Sequence, residues 1–302
     1  MARDGVSPTA EVAASLDGAD TARPVSIARR RWRRFRRMPT AIASTVILVA
    51  FVIMAVFAPT FAPMHPDQGN IRDRLQPPGS EYLLGTDQQG RDMLSRVIFG
   101  SRVALVVGSL TIAIGLSIGG VLGTLAGYYR GWLDTIIMRT MDLLLAFPYI
   151  LLVVVIVTML GPNLRNAIIA IGVTNVPHFA RIVRSVVIAI REKEFVTAAG
   201  ALGASQLRTI ARHVMPNAIA PIIVVATLYF GRNVIAEATL SFLGLGVQPP
   251  TAAWGSMVSV GREYLRSSPH LSLAPGIALM FFVYALNTLG DALRDVLDPK
   301  TQ

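Results

Sequence analysis

The 302-residue sequence predicts an all-α fold, a polytopic membrane protein with six spanning helices. Three observations carry this. Hydrophobic residues make up 53% of the chain and charged residues 15%, whereas a soluble domain carries roughly a quarter charged. The apolar residues fall in runs of about 20, the length of helix that crosses ~30 Å of hydrocarbon. Much of the net charge of +10 sits just before the first of these runs, which points to lipid headgroups and a topology signal rather than to nucleic acid. The chain has no cysteine, which removes disulfide scaffolds, thiolate metal sites and cysteine nucleophiles.

Taken in order, residues 1–40 read as a cytoplasmic tail, partly disordered. Before Val25 they are rich in Ala, Asp, Thr and Ser without periodicity. Between 29 and 37 they hold a run of Arg with Trp32 and Phe35, a topology anchor or an interfacial helix on anionic lipid. The first span, 41–61, reads as uncleaved, because its leader is too long for a signal peptide and no small-x-small site closes the run. An extracytoplasmic loop follows over 62–102. The core, 103–292, holds spans at 103–127, 138–160, 166–190, 218–240 and 273–292, with a cytoplasmic tail at 293–302. Lys and Arg outside the spans concentrate on the side of the N-terminus, nine of them within residues 1–40. Both termini are therefore expected in the cytoplasm.

The second span carries Gly115, Gly119, Gly123 and Gly127, with Gly108 on the same face. Glycine at every fourth position leaves a smooth strip, and helices in lipid associate where backbones can approach. The expectation is a packing seam. The third span contains Phe147-Pro148 and the fourth contains Asn175-Val176-Pro177-His178. A proline inside a span removes a backbone hydrogen bond, so both are expected kinks and candidate flexing points. Charge inside hydrocarbon costs a few kcal/mol and marks a functional hypothesis. Arg232 and Glu237, with Asn233 beside Arg232, read either as lining of a water-filled pathway or as a structural pair or interfacial position. Asn175 and His178 join them as pathway candidates.

Between the fourth and fifth spans, residues 191–217 form a polar loop. Its first half reads as a short helix ending near Gly203; Ser205 caps a second short helix that Pro216 terminates. Positions 198–201 and 203–204 are all Ala or Gly, a flat surface against which another protein can come close. The segment resembles the cytoplasmic loop of the inner-membrane components of ATP-binding-cassette (ABC) importers, whose signature is Glu-Ala-Ala, three residues, Gly, nine residues, Ile-x-Leu-Pro. Ala198 and Ala199 match the alanines, Gly203 the glycine and Pro216 the proline. Thr197, His213 and Met215 depart from Glu, Ile and Leu. The resemblance implies an ATPase-coupling helix, with Glu194 and Arg212 as sources of polar grip in place of the missing Glu.

Three further blocks are similar to the peptide and nickel branch of that family: LGTDQQGRDMLSR at 84–96, SFLGLGVQPP at 241–250 with Trp254-Gly255, and GDALRDVLDP at 290–299. They most resemble the C-type permease of dipeptide and oligopeptide systems. The resemblance implies the importer permease fold, a bacterial inner-membrane location, and passage of dipeptides or oligopeptides. Nickel chelates and glutathione-like peptides are the alternative cargoes. It also implies a second related permease, two ATPases and an extracytoplasmic binding protein as partners. The chain has no Gly-Lys dipeptide, hence no P-loop. ATP and Mg are expected on the partner subunits, with no cofactor, metal site or catalytic residue in this chain. An ion-driven secondary transporter would instead need an inverted repeat and an ionisable relay, and neither is visible.

Overall fold

The computed structural model describes residues 33 and 35–297. The tail before Val25, most of the Arg run and the last five residues lie outside the described residues. Helix α1 (Pro39–Val56) opens on a proline, whose missing N–H is harmless in a first turn, and α2 (Ala58–Phe61) extends it. A loop with a 3-10 turn (Ile71–Asp73) leads to α3 (Met93–Tyr129), capped where the Asp92 carboxylate accepts from the Ser95 amide. The 37 residues of α3 make a rod of about 55 Å, longer than the hydrocarbon is thick. Helices α4 (Gly131–Leu145), α5 (Tyr149–Leu160) and α6 (Leu164–Arg191) follow. Then come α7 (Glu194–Ala201), α8 (Gln206–Thr209), a π-helical turn (Ile210–Val214), α9 (Met215–Phe242), α10 (Trp254–Gly261) and α11 (His270–Leu297).

Five helical stretches are long and apolar enough to cross a membrane, and the pair α4 and α5, bent by 86°, makes a sixth crossing if counted as one. The third span is therefore a broken helix and not the kinked one expected. Pro148 has ψ 127, outside the helical region, and a proline disfavours helical backbone in the residue before it. Pro177 behaves differently: it is buried within α6, which runs on unbroken. Pro216 also departs from expectation. It stands in the first turn of α9, where it needs no N–H, and the π turn joins α8 to α9 so that Gln206–Phe242 is one continuous stretch.

Helices α3 and α6 form the centre of the bundle, and the glycine strip lies between them. A methyl added at Gly115 would stand 2.8 Å from Asn175 Cβ, at Gly119 2.9 Å from Ala180 N, at Gly123 3.0 Å from Arg184 N, and at Gly127 2.8 Å from Arg184 O. Side chains are excluded there, so the two backbones touch directly. Within the strip, Gly115-Leu-Ser-Ile-Gly119 also fits, letter for letter, the Gly-x-Ser-x-Gly pattern of hydrolase nucleophile elbows. That pattern needs a strand-turn-helix setting; here it lies mid-helix, and Ser117 Oγ donates to Ile114 O at 3.2 Å. Near one end of the bundle Phe51, Trp254 and Phe282 pack edge to face at centroid distances of 5.2–5.7 Å, tying α1, α10 and α11 together.

Candidate functional site

The residues singled out from the sequence fall in three places. The first is the loop at the α7 end of the bundle. Val196 and Ala199 turn inward, and Val196 joins the cluster of Val183, Val187 and Val214 that seats the loop on α6. Glu194, Thr197, Ala198, Gly203, Arg212 and Pro216 are exposed. Gly203 closes α7 at φ +82. The Ala204 amide donates to Ala199 O at 3.1 Å and the Gly203 amide to Gly200 O at 3.0 Å, the paired bonds of a Schellman ending, whose left-handed residue favours glycine. The glycine is thus required by the turn, since an added methyl would meet nothing within 4 Å. Ser205 caps α8 by accepting from the Arg208 amide. The residues that sequence reasoning passed over are Leu202 and Leu207, 89% and 74% exposed, which frame the flat Ala and Gly surface. The signal was present: two leucines in a segment too short and polar to bury both.

The second place is inside the bundle. Asn175 and Asn233 are fully buried. Asn175 Nδ2 donates to Asn233 Oδ1 at 2.9 Å, and Asn233 Nδ2 donates to Thr111 Oγ1 at 2.8 Å, joining α6, α9 and α3. Glu237 is also buried; its carboxylate accepts from Ser241 Oγ at 2.5 Å, and that oxygen accepts from the Val247 amide at 2.9 Å. This ties the loop after α9 back to the helix. Arg232 and Glu237 form no ion pair with each other. Arg232 faces outward instead. Its guanidinium lies 4.5 Å from the Tyr149 ring centroid and 5.3 Å from that of Tyr229, within cation–π range. The half-buried His178 ring lies 5.7 Å from Tyr229. Tyr149 is the first residue of α5, so the break after α4 is what brings its ring under Arg232.

The same face continues along α6 toward the α7 end. Arg181 Nη2 donates to Asp142 Oδ1 at 2.8 Å, and Arg184 grips Asp134 through two bonds of 2.5 and 2.6 Å. With Arg139 these groups line a cleft of about 400 Å³.

The third place is the α10 end, where the blocks at 84–96 and 241–250 meet. Arg96 is buried; its Nη1 donates to Pro66 O at 2.8 Å and Pro250 O at 3.2 Å, and the side chain lies 3.7 Å from both Asp67 and Asp87. Asp87 also accepts from Arg91 Nε at 2.7 Å. Trp254 Nε1 donates to Val97 O at 3.0 Å. Nearby, the Tyr82 phenol is raised above its ordinary range by desolvation and then by the Asp73 and Glu81 carboxylates. These buried charges are paired and hydrogen-bonded, a rigid cap over one end of the bundle.

Comparison with known proteins adds to this geometry. Residues 119–302 match the family described as binding-protein-dependent transport system inner membrane component. Residues 26–78 match the N-terminal transmembrane domain of oligopeptide transport permease C. The dipeptide transport system permease DppC of Alkalihalophilus pseudofirmus is 45% identical over 276 residues, 91% of each chain. The glutathione transport system permease GsiD of Pectobacterium atrosepticum is 38% identical over 270 residues, 89% of this chain and 90% of that one. Among solved structures, an inward-facing form of the MetNI methionine ABC transporter is similar in fold, with a TM-score of 0.57 at 20% identity, over 68% of this chain and 97% of the other.

Proposed function

Because the chain belongs to the family of binding-protein-dependent transport system inner membrane components and is a transmembrane permease subunit of an ABC importer, we propose that its cargo is a short peptide and that the α7–α8 loop is the seat of an ATPase. The cargo reading rests on the 45% identity to a dipeptide permease over 91% of both chains. The 38% identity to a glutathione permease supports a second reading, a γ-linked tripeptide one residue longer and with one carboxylate more.

In this reading the chain pairs with a second, related permease in a bacterial inner membrane. Cargo arrives from a binding protein at the α10 end. ATP hydrolysis in two partner subunits moves the loop at the α7 end, which faces the cytoplasm together with both termini. The positive-inside distribution supports that orientation, with nine Arg in residues 1–40. The flat Ala and Gly surface framed by Leu202 and Leu207 supports docking, because exposed apolar knobs beside small residues suit burial by a protein partner.

The test is uptake by proteoliposomes carrying the complete importer with ATP enclosed, supplied from outside with the binding protein and labelled dialanine or glutathione. ATP-dependent dipeptide uptake is expected. Transport of glutathione with none of the dipeptide would install the second reading, and transport of neither would end the peptide assignment.

A further inference from the structure

Arg232 occupies a position that neither lipid nor the protein's own carboxylates account for. It lies ten residues before Phe242, the end of α9, and seventeen after Met215, its start. At 1.5 Å per residue this is about 15 Å and 25 Å from the two helix ends, too deep for the side chain to reach a headgroup layer. An arginine facing hydrocarbon there is unfavourable. Among the described residues no Asp or Glu comes within ion-pair distance of it, whereas Arg181 and Arg184 of α6 hold Asp142 and Asp134. The two tyrosine rings flank the guanidinium at 4.5 and 5.3 Å and supply no charge to neutralise it. From it a polar strip runs down α6 through His178, Arg181 and Ser185 at successive turns, which is not a surface that lipid covers.

We infer that Arg232, clamped by Tyr149 and Tyr229, is a carboxylate-binding station in the membrane path, taking the free α-carboxylate of the passing peptide. The inference rests on the peptide reading of this chain. A guanidinium presents paired N–H donors that match a carboxylate, and the polar strip along α6 continues from it toward the α7 end.

The test uses the complete importer in proteoliposomes with its binding protein, and compares uptake of dialanine with that of its C-terminal amide, each corrected for affinity to the binding protein. The wild-type complex is expected to favour the acid. Arg232→Gln should lower the acid-to-amide ratio about tenfold, equivalent to about 1.4 kcal/mol, with amide uptake nearly unchanged, and Arg232→Lys should retain part of the preference. Because the chain has no cysteine, Arg232→Cys places a unique thiol in it. Modification with a methanethiosulfonate carrying an ethylammonium group should restore both the charge and the preference.

Equal uptake of acid and amide by the wild type overturns the inference without any variant. So does an equal fall in both with Arg232→Gln, which marks a structural role. A thiol at 232 that stays unlabelled with and without ATP overturns it as well, since the face is then closed by the partner permease or by lipid. Absence of all peptide uptake by the wild type would instead remove the peptide reading on which the inference stands.

Discussion

Gly119 and Gly120 are neighbours in α3 and respond differently to one added methyl. At Gly120 the new carbon would find only Leu116 Cδ1, at an ordinary 3.6 Å; at Gly119 it would lie 2.5 Å from Val176 O and 2.9 Å from Ala180 N. Those atoms are backbone of α6 and cannot rotate aside. Contacts relax near 3.5 Å, so α3 and α6 must part by roughly 0.5–1 Å along a seam that Gly115, Gly123 and Gly127 also keep closed. Both substitutions gain the helix propensity of Ala over Gly, about 0.5–1 kcal/mol. That gain cancels in the comparison, leaving the overpacking cost of about 1–3 kcal/mol against Gly119→Ala alone. Thermal unfolding of the detergent-solubilised chain, followed by the fluorescence of its three tryptophans, should place Gly119→Ala several degrees below Gly120→Ala. Equal midpoints would refute the claim that the strip is held in direct backbone contact.

Asn233→Ala strips Asn175 of its acceptor and Thr111 of its donor; the expected loss is about 1–3 kcal/mol, seen as a lower midpoint, and an unchanged midpoint would show that the buried network carries no stability. Leu202→Ser combined with Leu207→Ser should weaken ATPase association about a hundredfold or more, as burial of each leucine is worth about 1.5–3 kcal/mol, while membrane insertion and thermal midpoint stay unchanged; co-purification at wild-type yield would count against docking there. Gly203→Asn should keep association and Gly203→Val should lose it, because Asn tolerates the left-handed region and a β-branched residue does not. If both variants fail alike, the partner and not the turn excludes a side chain at that position.

Spans and seams were legible in the sequence because they rest on composition and period. An apolar run announces a membrane helix wherever it packs, and glycine at every fourth position marks a face without naming its partner. The loop's matches at Ala198, Ala199, Gly203 and Pro216 were legible too, their reasons only in part. Gly203 read as the end of a short helix as well as part of a flat surface, and its φ of +82 bears out the helix end. Pro216 looked like a stop, and a π turn carries the helix through it. A single proline reads the same in Phe147-Pro148, where the helix breaks, and at Pro177, where it does not. What differs is the burial around each, which depends on residues far along the chain. The cap at the α10 end was hidden for that reason: Arg96 meets the Pro250 carbonyl from 154 positions away.

Arg232 and Asn233 show most directly why residue type alone does not locate a pathway. They are adjacent polar residues in one span, yet one helical step turns them to different faces. Asn233 goes inward and joins α3, α6 and α9 into one hydrogen-bonded body; Arg232 goes outward onto the tyrosine rings. The same step has a mechanical consequence. Gln206–Phe242 is a continuous helical stretch that starts at the exposed loop, and Arg232 lies 26 residues along it, about 39 Å away. A displacement applied to the loop would therefore be carried to Arg232 by a rod, not relayed through side chains. The asparagine beside it obliges α3 and α6 to move with that rod. The 86° break between α4 and α5, which carries Tyr149 at its edge, lies outside that hydrogen-bonded network.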